Sequence, residues 1–305
     1  MKNIKNIFLI TFLLTVTVTS LFSQSLNGNL KVERISLEQG FSNDLIFSVY
    51  QDSKGFIWFG TMFGLVRYDG MNYKTYRYDP LDSNTLSNDD IISIFEDKEG
   101  NMWFGTYNGG LNKYESTSGR FTRFVRKADD PNSISSNTIW EICQDKEGII
   151  WLATEGGGLC KYSKGKFYAY KKDTVNSSGS ISGNFIRSVS LDKDGNIWAG
   201  TYASGINKFD KEKNIFVNYR NEPNDPNSLS NNFVSYIITD SNVELWIGTG
   251  GGGLNKFDYS AGNFKNYKND KDGLNSISNN FINSISEESP GILLIATQNG
   301  LNKFD

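Results

Sequence analysis

Along most of this chain, short apolar and β-branched runs of four or five residues alternate with tight polar turns, which is the patterning of strands joined as hairpins. The stretch from 91 to 124 shows one full cycle. Ile91-Ile92-Ser93-Ile94-Phe95 predicts a strand, and Asp97-Lys98-Glu99-Gly100 a turn in which glycine takes the positive φ. Met102 to Thr106 predicts a second strand, Leu111 to Tyr114 a third and Phe121 to Phe124 a fourth. Tyr107-Asn108-Gly109-Gly110 and Ser116-Thr117-Ser118-Gly119 supply the turns between them. Four antiparallel strands in a meander make one propeller blade.

The cycle repeats. W-x-(G/A)-T occurs at Trp58, Trp103, Trp151, Trp198 and Trp246, and a sixth copy begins at Leu294. The intervals are 45, 48, 47, 48 and 48 residues, so one supersecondary unit is copied six times. The expected fold is an all-β propeller of four-stranded antiparallel blades, either a six-bladed ring or an incomplete seven-bladed one. The sixth copy stops after its third strand, at Lys303-Phe304-Asp305. A segment from Leu30 to Ile35, ahead of the first copy, has the pattern to supply the missing fourth strand.

The D-x-x-G turn recurs at Asp52, Asp97, Asp145 and Asp192 and decays at Asp240, where Val243 replaces glycine and predicts a different turn. The third strand carries a basic residue followed by an aromatic in every copy, from Arg67-Tyr68 to Lys303-Phe304. Asp44, Asp89, Asn137, Asn184, Asn232 and Asn280 recur at the entry to each first strand, where each is expected to bond its own linker turn. The repeated tryptophans are expected in the core, packed between neighbouring blades.

Composition narrows the chemistry. The 305 residues carry a net charge of −3, which gives no footprint for nucleic acid. There is no histidine, so His-liganded metals, Ser–His or Cys–His nucleophiles and a phospho-accepting histidine are excluded within this chain. The D-x-x-G turns lack the ligand count of a calcium loop, and no metal or cofactor is expected. Cys143 and Cys160 are expected as unpaired core thiols. Residues 1–25 have the layout of a secretory signal peptide: Lys2 and Lys5, an uncharged run from Ile7 to Phe22, then Ser23-Gln24-Ser25. The mature region is expected to be exported, to the periplasm or cell envelope, with residues 26–305 forming the propeller.

Residues common to all copies are structural, so recognition belongs where the copies differ. One position in the first strand reads Phe47, Ile92, Trp140, Arg187, Ser235 and Asn283. The hairpin after the second strand varies too, with Tyr107, Glu155 and Tyr202 in three of its copies. This hairpin and the interblade linker open on one face of a propeller, and variable loops on a rigid repeated scaffold carry binding. The candidate ligand-binding residues are Phe47, Tyr107, Trp140, Glu155, Arg187 and Tyr202. Trp140, Tyr107 and Tyr202 suit stacking on sugar rings, whereas Arg187 and Glu155 suit hydrogen bonds to hydroxyls or charged sugars.

The consensus L-S-N-N-x-(I/V)-x-S-(I/V)-x-x-D-x-x-G-x-(I/L)-W-(I/F)-G-T-x-x-G-G-L-x-(K/R)-(Y/F)-D, seen from Leu86 to Tyr114 and in the following copies, resembles the two-component regulator propeller repeat. The resemblance implies the periplasmic sensor region of a hybrid two-component system, in which a membrane span and a histidine kinase lie downstream. It also implies a small ligand, commonly an oligosaccharide, and a ring that usually has seven blades. A homodimer or a second propeller would be the protein partner, and contact with a membrane would come only through segments beyond this sequence. The same pattern leaves two alternatives: a protein-docking scaffold, or a polysaccharide lyase or hydrolase working without histidine.

Overall fold

The computed structural model describes residues 45–175, 178–270, 273 and 276–305. The segment 1–25 and the strand expected at 30–35 lie outside the described residues, as does Asp44.

The described chain is a six-bladed β-propeller. Each of the first five blades is a four-stranded antiparallel meander in sequence order, and the sixth has three strands among the described residues. The strands of the second blade run Ile91–Glu96, Met102–Thr106, Leu111–Glu115 and Arg120–Phe124, matching the expected cycle. The first strands of the six blades are Ile46–Gln51, Ile91–Glu96, Ile139–Gln144, Ile186–Leu191, Val234–Thr239 and Ile282–Ser289. Successive first strands touch, and all six surround a central opening.

The repeat motif is explained by what it does between blades. Five apolar clusters form, one at each junction from blade 1 to blade 6, and each contains the tryptophan of the earlier blade. Trp58, for example, meets Phe104 and Tyr114 of the next blade with ring centroids 5.3 and 5.7 Å away. Each indole Nε1 donates to the carboxylate of the D-x-x-G aspartate six residues earlier, at 2.8 Å for Trp58 to Asp52 and 2.7 Å for Trp103 to Asp97. That same aspartate closes the turn, as when Asp97 Oδ1 accepts from the Asn101 amide at 2.8 Å. Across the ladder from each tryptophan stands the basic residue of the third strand, so Lys113 lies over Trp103 at 5.3 Å and Lys208 over Trp198 at 5.7 Å.

The small residue of W-x-(G/A)-T marks close approach. A Cβ on Gly105 would stand 2.7 Å from the Ile139 carbonyl of the next blade, and one on Gly200 would stand 2.3 Å from Val234. The threonine hydroxyl closes the next hairpin, with Thr106 Oγ1 donating to the Gly110 carbonyl at 2.8 Å. The polar residue at each first-strand entry bonds the linker backbone, as expected. Asp89 accepts from Tyr78 N, and Asn137, Asn184, Asn232 and Asn280 accept equivalent bonds, all at 2.7–2.9 Å. Both cysteines are free thiols, Cys160 fully buried.

One expectation fails. The turn at Asp240 does not change type: Val243 takes φ 62° and keeps the hydrogen bonds of the glycine-bearing turns, Val243 N to Asp240 O at 2.9 Å and Asp240 N to Glu244 O at 3.0 Å. Asp240 is held by Trp246 Nε1 at 2.8 Å, so the turn is dictated by its anchorage and the β-branched residue absorbs the strain.

The outer faces of the first and last blades differ from the five packed junctions. Val49 is 61% exposed where Val189, Ile237 and Ile285 are each 2% exposed, and Leu301 is 61% exposed where Leu111, Leu159 and Leu254 are fully buried. The counterparts are covered by a neighbouring blade.

Candidate functional site

The first strands present their second residue to the central opening. Phe47, Ile92, Trp140, Arg187, Ser235 and Asn283 all line one pocket of about 450 Å³. Met62 and Tyr107, from the hairpins after the second strands of blades 1 and 2, extend its wall. Asp90, Glu141, Tyr236 and Ser284 complete it. The position that varies most from copy to copy is therefore the one that surrounds the cavity.

Of the residues singled out from the sequence, Phe47, Tyr107, Trp140 and Arg187 meet in this pocket. Arg187 lies flat on the Trp140 ring, its Cζ 3.9 Å from the centroid. That face of the indole is occupied by Arg187. The indole keeps a buried Nε1 with no hydrogen-bond partner. Glu155 is not in the wall; it acts on Arg187 from the neighbouring hairpin, and its buried Oε2 also lacks a partner. Burial pulls the Arg187 guanidinium down from its ordinary value, and Glu141 and Glu155 oppose that pull.

Tyr202 also lies outside the pocket wall. It belongs to an arc of rings along the same face: Tyr107, Trp140, Phe185, Tyr202, Phe233 and Phe281, with successive centroids 6.3, 6.5, 5.2, 4.6 and 5.7 Å apart. Phe185, Phe233 and Phe281 each occupy the residue just before a first strand, and all three are partly exposed. An arc of partly exposed rings beside a pocket is a surface on which flat, weakly polar groups can lie.

Sequence reasoning missed the pocket floor. At the third position of the first strand, four blades carry Ser48, Ser93, Ser188 and Ser284, whereas blades 3 and 5 carry Glu141 and Tyr236. The serine bridges blades: Ser93 Oγ donates to the Ile139 carbonyl at 3.0 Å. Glu141 instead receives the next blade, accepting from Ser188 Oγ at 2.5 Å and from the Val189 amide at 2.8 Å through the same Oε2. Burial pushes the Glu141 carboxyl up to about 7, although Ser188, Val189 and Arg187 each favour its charged form. Its charge, together with burial, raises the Tyr236 hydroxyl. Burial and nearby Asp89 raise Asp90 as well. The broken serine column was the available signal for Glu141 and Tyr236, and the phenylalanine column at 48-residue spacing was the signal for the arc.

No group of three or more Cys, Asp or Glu side chains suited to a metal occurs among the described residues. No helix among the described residues is long and apolar enough to cross a membrane.

The model of the two component regulator propeller family matches residues 40–63, 85–108, 133–156 and 180–203, which span the tryptophan motifs of the first four blades. None of the curated proteins compared with the chain matches it. Among solved structures, one similar chain is the extracellular domain described as that of a putative one component system, BT4673, from B. thetaiotaomicron. It is 22% identical with a TM-score of 0.60, over 87% of this chain and 39% of that one. The extracellular domain of a putative hybrid two component system, BT3049, from the same organism is 24% identical with a TM-score of 0.54, over 90% and 41%. The chain thus spans about two fifths of each of those two domains. Virginiamycin B lyase from Staphylococcus aureus, solved as a catalytically inactive His-to-Ala variant with quinupristin, is 15% identical with a TM-score of 0.64, over 90% and 85%. At these identities the solved structures establish the shared propeller fold. The family match identifies the repeats of the first four blades as two component regulator propeller repeats.

Proposed function

We propose that this chain is the extracytoplasmic ligand-sensing propeller of a two-component signalling system, and that it binds a small ligand, an oligosaccharide, at the mouth of the central opening without catalysing a reaction. The observation that carries the reading is the wall of the pocket. Six strands of one repeat deliver six different side chains to it, among them Trp140, Arg187 and Ser235, and an arc of aromatic rings leads away from it. The extracellular location of the propellers in the two B. thetaiotaomicron systems supports export. The lack of histidine sets this chain apart from the lyase whose described variant is inactive through loss of one.

The test is calorimetric titration of the folded chain against a panel of plant and host oligosaccharides, with product analysis of the same mixtures. Binding that weakens at least about tenfold in Arg187→Ala, equal to about 1.4 kcal/mol, with no products formed, supports the reading. Unchanged affinity in Arg187→Ala and Trp140→Ala for a ligand that does bind removes the pocket from the site.

A second reading has one observation in its favour. Among the described residues, blades 1 and 6 expose Ile46, Val49 and Leu301, which suits docking of a protein, whether a second copy or another propeller. Light scattering across a concentration series separates it from the first: a concentration-dependent rise in mass that Val49→Lys abolishes favours docking.

A further inference from the structure

The charges around the pocket are unequal. Asp90 and Glu141 line it and Glu155 stands behind Arg187, whereas Arg187 is the sole cation among the described residues of the wall. That cation is already engaged. Its guanidinium lies on the Trp140 face at 3.9 Å, and both Glu141 and Glu155 act on it. An acidic group entering the pocket meets the acidic side chains of Asp90 and Glu141, and a guanidinium that Glu141 and Glu155 already balance. A cationic group meets the opposite: carboxylates in a partly desolvated cavity, where charge interactions are stronger than in water. It also meets the rings of Phe47, Tyr107 and Tyr236, whose faces attract cations. Ser235, 8% exposed and in the wall, holds a hydroxyl without a partner, and Glu155 holds an acceptor oxygen without one.

We propose that the pocket selects saccharides by charge, taking amine-bearing sugars in preference to neutral ones and excluding sugars that carry carboxylate or sulfate groups. This rests on the saccharide reading above, so two measurements separate the failure of one from the failure of the other.

The first needs no saccharide. Trp140 is the partly exposed tryptophan of the pocket, while Trp58, Trp103, Trp151, Trp198 and Trp246 are at most 6% exposed. Collisional quenching of tryptophan fluorescence therefore reports on this pocket, and Trp140→Phe is expected to remove the quenchable component. Caesium ion is expected to quench more effectively than iodide, relative to free N-acetyltryptophanamide. The double variant Asp90→Asn, Glu155→Gln is expected to abolish the preference. Iodide quenching as effective as that of caesium in the native chain overturns the charge assignment, whatever the ligand proves to be.

The second is titration at pH 7.5 with cellotetraoses that differ only at the terminal C6, bearing an amine, a hydroxyl or a carboxylate. The amine form is expected to bind about tenfold tighter than the neutral form, and the carboxylate form about tenfold weaker. A carboxylate form that binds tightest overturns the proposal and leaves the saccharide reading standing. Absence of binding by all three, alongside caesium-selective quenching, counts against the saccharide reading itself and overturns the proposal for this class of ligand.

Discussion

At the second-strand position that holds Trp58, five of six blades carry the same side chain with the same partner, an aspartate accepting from the indole at 2.7–2.9 Å. At the second position of the first strand, no two blades agree: Phe47, Ile92, Trp140, Arg187, Ser235 and Asn283. Both positions belong to the same repeating unit. The first lies between blades, where each copy meets a near-identical neighbour and one packing solution serves every junction. The second faces the centre, where six copies converge on one shared space. Identical residues there would build a six-fold symmetric opening, and an asymmetric ligand needs an asymmetric one. Repetition holds where a residue contacts the next copy and lapses where it contacts the cavity.

The comparison breaks most visibly at the junctions. Trp198 is fully buried between blades 4 and 5, so Trp198→Ala is expected to cost about 3–5 kcal/mol in a denaturant titration, with the Asp192 carboxylate left unpartnered by the indole. A cost near zero would remove the structural role of the motif. At the pocket, Glu141 offers a pH test. Its carboxyl titrates at 4.5 when unperturbed and at about 7 when buried. Between those values the native state holds a proton that the unfolded chain has released, so this group's contribution to stability falls as pH rises from about 4.5 through 7, and levels off above. Glu141→Gln is expected to remove that fall, seen as a shallower pH dependence of Tm. A smaller gain comes from a turn: Val243→Gly is expected to stabilise by about 1 kcal/mol, because glycine takes φ 62° without the penalty of a β-branched side chain. The smallest effect is expected from Arg187→Ala, within about 1 kcal/mol in stability, since a pocket residue contributes little to the junctions.

Much of the fold was legible because the 45–48-residue period repeats the same strand and turn chemistry, and errors at one copy are corrected by the others. The turn at Val243 was misread because the residue alone argues against positive φ, while the Asp240–Trp246 bond and the ladder around it impose that backbone. The site was legible only in part. Phe47, Trp140 and Arg187 stand out as divergences at one position and Tyr107 as one in a variable hairpin, and the structure gathers them into one pocket. Glu141 and Tyr236 escaped notice because their position mostly holds a serine that bonds the next blade, so its two exceptions lay hidden in a structural column. That Arg187 covers Trp140 follows from neighbouring blades facing each other, which spacing along the chain does not reveal.

Hydrogen–deuterium exchange with and without a saccharide that binds tests most directly whether divergence, and not repetition, makes the site. Protection is expected in the hairpins bearing Tyr107, Glu155 and Tyr202 and at the first-strand entries beside Phe185 and Phe233, with none at the D-x-x-G turns on the opposite face. Protection confined to those turns, or spread evenly over all six blades, would contradict it.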